Sequence, residues 1–219
     1  MGDDRSNAGR IQDAMSTRGL AGKRDYVRSL EQRRDEPALT LLVECLCDES
    51  WYLREMAEVA LLKQGARCGP ALLPLLEQGL WFSRSSAARV LGRMGFAPAA
   101  APLLKLTSDN VDTVVRDACV ALADLGRRGG LARVAWELNQ LPPERRQERL
   151  VMFAAVDRPF AERLERLLRS EDLRQHTDPE TLADDAPWVR QSEEGVEWNP
   201  TTVPSPALPA GHPAGAPIR

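Results

Sequence analysis

Few residues in this chain have the types and spacing that catalysis requires. The two histidines, His176 and His212, fall in the last quarter of the 219 residues. The stretches around them lack hydrophobic periodicity, so no packed Ser-His-Asp, Cys-His or histidine-metal arrangement is expected. Cysteine occurs at Cys45, Cys47, Cys68 and Cys119 without any C-x-x-C spacing. Cys45 and Cys47, two apart in an apolar run, point to nearly opposite sides of a helix and cannot share a metal there; packed, reduced thiols are the reading they support. Glu55 and Glu58 are a carboxylate pair of the kind that does acid–base work, but on an amphipathic helix such a pair is ordinarily the solvated face. The basic, glycine-rich run from Gly126 to Gly130 lacks the strand and helix of a phosphate cradle and reads as a loop. The expectation is a non-enzymatic protein with no cofactor and no metal.

Two other sets carry the chemistry of recognition. Trp51 and Trp81 each stand fourteen residues before a glycine, Gly65 and Gly95, and are followed by Tyr52 and Phe82. On neighbouring helices such equivalent rings lie about 8–10 Å apart. Two uses are open to them. They fill the core between units near the helix starts, the commoner use, or they form a ridge that anchors a protein partner. The second set is Arg54, Arg84, Arg89, Arg93 and Arg116. Solvated arginines paired with nearby Asp and Glu are the ordinary case; in a row along an open groove they favour an acidic protein segment or a phosphate-bearing ligand. Trp188 and Trp198 stand in the acidic stretch DDAPWVRQSEEGVEWNP, although disordered sequence is normally short of aromatics. They read either as chance residents of a tail or as a docking motif, directed at a partner or at the chain's own arginines.

The elements that must hold these residues appear in three phrases aligned on a closing glycine. They are LREMAEVALLKQG to Gly65, SRSSAARVLGRMG to Gly95 and VVRDACVALADLG to Gly126. Ala57, Ala87 and Ala118 stand eight residues before the glycine, Ala60, Val90 and Ala121 five before, and Leu61, Leu91 and Leu122 four before. Spacings of three and four place them on one helical face, and the small residues let another helix come close. The closing glycine suits the left-handed conformation that stops a helix. Ahead of each phrase an apolar helix opens at Pro37, Pro70 or Pro98, proline being tolerated in a first turn because its missing N–H has no partner to lose. The unit is helix, short turn, helix, glycine stop. One such pair cannot bury its apolar face alone, so the repetition is a folding requirement.

In these residues the phrases resemble the HEAT-repeat family, especially its short bacterial form, whose second helix reads approximately V-R-x-x-A-x-x-A-L-x-x-x-G. Arg54 and Arg84 fall on the arginine position; in the third unit Val115 occupies it and Arg116 comes one residue late. The resemblance covers Pro37 to Gly126 and extends in degenerate form to about Ser170. It implies an all-α fold, a right-handed α-solenoid of about four to five HEAT-like helical hairpins with disordered termini, whose second helices line the concave surface. Some HEAT-like proteins are phycobilin lyases or related pigment-protein chaperones, and others are DNA glycosylases. No residue here marks a tetrapyrrole cleft or a glycosylase site.

Composition sets the expected boundaries. Residues 1–22 are read as a mostly disordered N-terminal segment, 23–170 as the solenoid, and 171–219 as an acidic then proline-rich disordered tail ending in PTTVPSPALPAGHPAGAPIR. KRDYVRSLEQRR, with Tyr26, Val27 and Leu30, suits a polar capping helix. GGLARVAWELNQL and PPERRQERLVMFAAV read as a further helical pair, and RPFAERLERLLRS as a last helix burying Leu164, Leu167 and Leu168. The tail holds nine acidic residues against Arg174, Arg190 and Arg219, so with a net charge of −3 the body is mildly basic. That is too little for the basic stripe that nucleic acid calls for, and no stretch reaches the roughly 18 apolar residues of a membrane span. The expected protein is a bacterial, cytoplasmic scaffold or adaptor. It would hold a protein partner, one with an acidic segment, on its concave face, and its own acidic tail would dock there as a modulator.

Overall fold

Proline, aspartate and glycine punctuate the chain. The computed structural model describes residues 19–193, which are helices joined by turns with no strand among them. Helix α1 (Leu20–Glu31) precedes three pairs: α2 (Glu36–Cys45) with α3 (Trp51–Gln64), α4 (Gly69–Gln78) with α5 (Trp81–Met94), and α6 (Ala100–Leu106) with α7 (Asp112–Leu125). Helices α8 (Leu131–Asn139), α9 (Pro143–Val156), α10 (Arg158–Arg169), α11 (Glu171–Gln175) and α12 (Pro187–Glu193) follow. Helix α2 starts where the Asp35 carboxylate accepts the Ala38 N–H at 2.9 Å, with Pro37 in the first turn. Asp157 does the same for Phe160 at the start of α10, also at 2.9 Å; each such cap stabilises by about 1 kcal/mol. Gly95 closes α5 in the left-handed conformation at φ 71°. Gly126 departs from the expected pattern, for its backbone stays right-handed at φ −60° and the turn is made at Gly129, φ 94°. A Cβ on Gly126 would stand 2.7 Å from the Phe160 ring, so this glycine admits an aromatic side chain rather than ending a helix.

Stacking produces two layers. Helices α1, α3, α5, α7 and α9 pack in series, and α2, α4, α6 and α8 form a second series; the pairs α2–α3, α4–α5 and α6–α7 close between them. This is the neighbour-to-neighbour order of a solenoid. The repeated stripe lies inside it: Ala57, Ala60 and Leu61, Ala87, Val90 and Leu91, and Ala118, Ala121 and Leu122 are all buried. The most extensive packing is between α5 and α7. Gly92 makes it, since a Cβ there would stand 2.5 Å from both the Cα and the carbonyl oxygen of Ala121.

The last unit is not a closed pair. Helix α8 stacks on α6 and α9 on α7, while α10 packs against both α8 and α9 and holds them together. Its buried Phe160, Leu164, Leu167 and Leu168 fill the space between, and Phe160 meets Phe153 of α9 with ring centroids 5.5 Å apart. Nor does the fold stop at Ser170. Residues 171–193 return as a strap, α11 packing on α8 and α10, and α12 on α10. Leu173 and Val189 are fully buried. The disordered tail expected from residue 171 is corrected accordingly: a few apolar anchors spread along an acidic stretch hold it once α8 offers an unpaired helix end. Helix α1 likewise begins at Leu20, inside the segment expected to be disordered. Residues 1–18 and 194–219, with His212 and the proline-rich sequence, lie outside the described residues.

Candidate functional site

One face of the layer containing α3, α5 and α7 is left free. On α3, Trp51, Glu55 and Val59 recur every four residues opposite the buried stripe, and on α7 Asp112, Arg116 and Val120 hold the equivalent places. Helix α5, flanked on both sides, presents Trp81, Arg89 and Arg93. Trp51 is 59% exposed, Trp81 47%, and Leu80 beside it 62%. The core-filling reading of the two tryptophans is thus corrected: as the first residues of their helices they lie beyond the stripe that the next unit covers. Each is braced from the side, Trp51 by Tyr52 at 5.9 Å and Trp81 by Phe82 at 5.6 Å, both edge to face, the arrangement ring quadrupoles favour. Arg54 of α3 reaches the second pair, its guanidinium 4.7 Å from the centre of the Phe82 ring, a cation–π contact of about 0.5–1 kcal/mol.

The five arginines divide. Arg54 donates to the carbonyls of Asp48 at 2.7 Å and Glu49 at 2.9 Å, tying the turn ahead of its own helix. Burial lowers its pKa, and the nearby Arg89 adds to that. Arg84 donates to the Gly79 carbonyl at 2.8 Å and forks onto Asp109, in the turn of the next unit, at 2.8 and 2.9 Å. Burial opposes ionisation of Asp109, but the Arg84 hydrogen bonds and the Val111 N–H hold its carboxyl below the usual range. Aligned on the closing glycines, Asp48 and Asp109 are equivalent and the unit between has Gln78. Arg54 therefore has no carboxylate across from it and takes carbonyls and a ring instead.

Arg89 is the centre of a network under the free face. From α5 it pairs with Glu58 on α3, Nε to Oε2 at 3.2 Å, and with Asp117 on α7. It also donates to the Ser85 and Ser86 hydroxyls at 3.0 Å each, and Ser85 donates in turn to Asp117. Burial alone would lower its pKa; the two carboxylates raise it above the ordinary value. One side chain thus joins three consecutive helices of the layer. Arg93 is exposed, and Arg116 is 72% exposed with Asp117 3.9 Å away. Of the two readings of these arginines, pairing describes Arg84 and Arg89, a turn and a ring engage Arg54, and only Arg93 and Arg116 fit an open row.

The remaining candidates are structural. Burial pushes the thiols of Cys45 up to about 12 and of Cys68 and Cys119 up to about 11, so none of the three is a thiolate near neutral pH. Glu58 belongs to Arg89, and in the run from Gly126 to Gly130 Arg127 pairs with Asp124 at 2.8 Å and with Asp157. Sequence reasoning missed the strap. Asp184 accepts the N–H groups of Leu131 and Ala132 at 2.8 Å each, capping α8 from the far end of the chain. Glu180 pairs with Arg133 at 2.8 Å, and the Trp136 indole donates to the His176 carbonyl at 3.2 Å. His176 itself meets Thr181 at 2.9 Å. Trp188 is half-buried against the core on α12, which packs on α10 rather than on the arginines of α5 and α7; Trp198 lies outside the described residues. The available signal was the spacing of Leu173, Leu182, Trp188 and Val189.

The family model of the PBS lyase HEAT-like repeat matches residues 83–109, from the first turn of α5 through α6 to the turn that carries Asp109. The matched segment contains Arg84 with its Asp109 partner, Arg89, and the close-packing Gly92. Among curated proteins, none matches the chain. No helix among the described residues is long and apolar enough to cross a membrane. The pairs on either side of the matched segment stack in the same two layers, so the described residues form an all-helical solenoid that holds a PBS lyase HEAT-like repeat at residues 83–109.

Proposed function

We propose that the protein is a non-enzymatic, cytoplasmic scaffold or adaptor that holds a protein partner on the free face of α3, α5 and α7. The observation that carries this reading is the exposure of Trp51 at 59% and Trp81 at 47%, at equivalent places on stacked helices. Leaving a large apolar side chain in water forgoes burial of about 1.5–3 kcal/mol, and tryptophan is the residue most enriched where partners bind tightly. Arg93 and Arg116 add positive charge beside the rings, which favours an acidic segment in the partner. The test compares wild type with the double variant Trp51→Ala/Trp81→Ala in affinity capture from native cells, scored by mass spectrometry. Each substitution removes an edge-to-face ring contact of about 0.5–1.5 kcal/mol, so circular dichroism first confirms that the variant is folded. A protein held by wild type should fall at least tenfold with the variant, and equal recovery rejects the reading.

The name of the matched repeat supplies a second reading, a phycobilin lyase-like or pigment-protein chaperone. Visible absorbance of the protein purified from its native cells tests it, since a bound tetrapyrrole gives a strong band and the polypeptide alone gives none.

A further inference from the structure

The inference rests on the free face being a binding surface and concerns what binds there. Trp51 and Trp81 open two adjacent stacked helices, and packed helices lie about 8–10 Å apart. A polyproline II segment has three residues per turn and a rise of about 3.1 Å, so prolines at i and i+3 face the same way about 9 Å apart. The general spacing of packed helices is thus close to the repeat of such a segment. The polar groups of ridge and segment also match, because polyproline II leaves its carbonyls without internal partners and an exposed indole offers an N–H donor and no acceptor. The bracing of each indole by Tyr52 or Phe82 fixes the ring before the ligand arrives, which lowers the entropy lost on binding.

The chain carries a proline-rich sequence. Residues 200–217 hold six prolines, Pro206 and Pro209 among them at i and i+3, and include no Asp, Glu, Lys or Arg. Such a segment suits the apolar patch of Trp51, Leu80 and Trp81 rather than the arginines beside it. The attachment point lies along the same stack. From α12 the contacts run to α10, α9, α7 and α5, four lateral steps of about 8–10 Å each, and Trp51 stands one step further on α3. The thirteen residues from Glu193 to Pro206 span up to about 45 Å when extended. We propose that the Trp51–Trp81 ridge is a polyproline II binding site and that its occupant is the chain's own proline-rich segment, residues 200–217, folded back from the same molecule.

The test uses the full chain and a fluorescein-labelled synthetic peptide of residues 199–219, followed by anisotropy. In wild type the tethered segment competes at an effective concentration near millimolar. The full-length variant Pro206→Ala/Pro209→Ala, with its ridge vacated, should therefore bind the labelled peptide at least tenfold more tightly than wild type. Adding Trp51→Ala/Trp81→Ala to that variant should abolish binding, with circular dichroism confirming that each protein is folded. No binding by the proline variant, or binding that survives loss of both tryptophans, overturns the proposal. Equal binding by wild type and the proline variant overturns it too, as does self-association by light scattering that requires Pro206 and Pro209, which would make a second copy the occupant. If the tryptophan variant loses a captured partner while the peptide never binds, the scaffold reading stands and this one falls.

Discussion

Removing the Arg89 side chain should harm this protein more than removing any other arginine on the same face. Glu58 and Asp117 approach it from neighbouring helices and are themselves nearly inaccessible, so Arg89→Ala leaves two carboxylates in a poor solvent without a counter-charge. Breaking a buried pair typically costs about 3–5 kcal/mol; the Arg89 side chain is 36% exposed, and the loss expected is about 2–4 kcal/mol. Urea denaturation checks it, with Arg93→Ala as the control that should change stability by less than about 0.5 kcal/mol. The sequence shows where the arginines stand, because the repeated phrase brings Arg54 and Arg84 to one place. It does not show their partners. Asp109 lies in the turn of the following unit and Asp117 on the helix after that turn, so only the stacking distance brings them within reach. The exposure of the tryptophans is hidden for the same reason. A ring at the first position of a helix is core or surface according to how far along the helix its neighbour extends.

At the scale of elements, the seam between α5 and α7 depends on one missing methyl group. Gly92→Ala would place a Cβ against the backbone of Ala121, and backbone cannot swing aside as a side-chain tip can. Overpacking of this kind costs about 1–3 kcal/mol, although alanine is the better helix former by up to about 1 kcal/mol. The expected outcome is a melting temperature lower by several degrees in a thermal scan; an unchanged or raised value shows that the helices part easily. The apolar stripe, the prolines that open α2 and α4 and the polar α1 are legible, since periodicity and punctuation are local properties; Pro98 instead sits in a 3-10 turn ahead of α6. Gly92 is not legible, because a mid-helix glycine is explained only by what sits on it. Gly126 misled in a similar way: it aligns with Gly65 and Gly95, but Phe160, more than thirty residues on, decides its use. In sequence α8 and α9 read as a further helical pair, and the large side chains of α10 are what open it.

At the scale of the whole molecule, units that touch only their neighbours should confine damage at an end to that end. The strap is the part to test. Asp184→Ala leaves the Leu131 and Ala132 N–H groups without acceptors, at a cost of about 1–2 kcal/mol. Hydrogen exchange should then quicken roughly tenfold in α8, α11 and α12 and stay unchanged in α3 and α5. Burial raises the Asp184 pKa against the pull of those two N–H donors and of Arg163. A carboxyl raised by folding holds its proton more tightly in the fold, so the Asp184 contribution to the strap is greatest in acid and is lost as pH rises through that raised value, opposite in sign to the Glu180–Arg133 pair. Wild type should show this loss beyond the ordinary base-catalysed rise in exchange, and Asp184→Ala should not. Equal loss of protection in α3 and α5 would mean that the strap belongs to one cooperative body with the whole stack. The solenoid would then gain its stability as a unit and not by the sum of its neighbouring contacts.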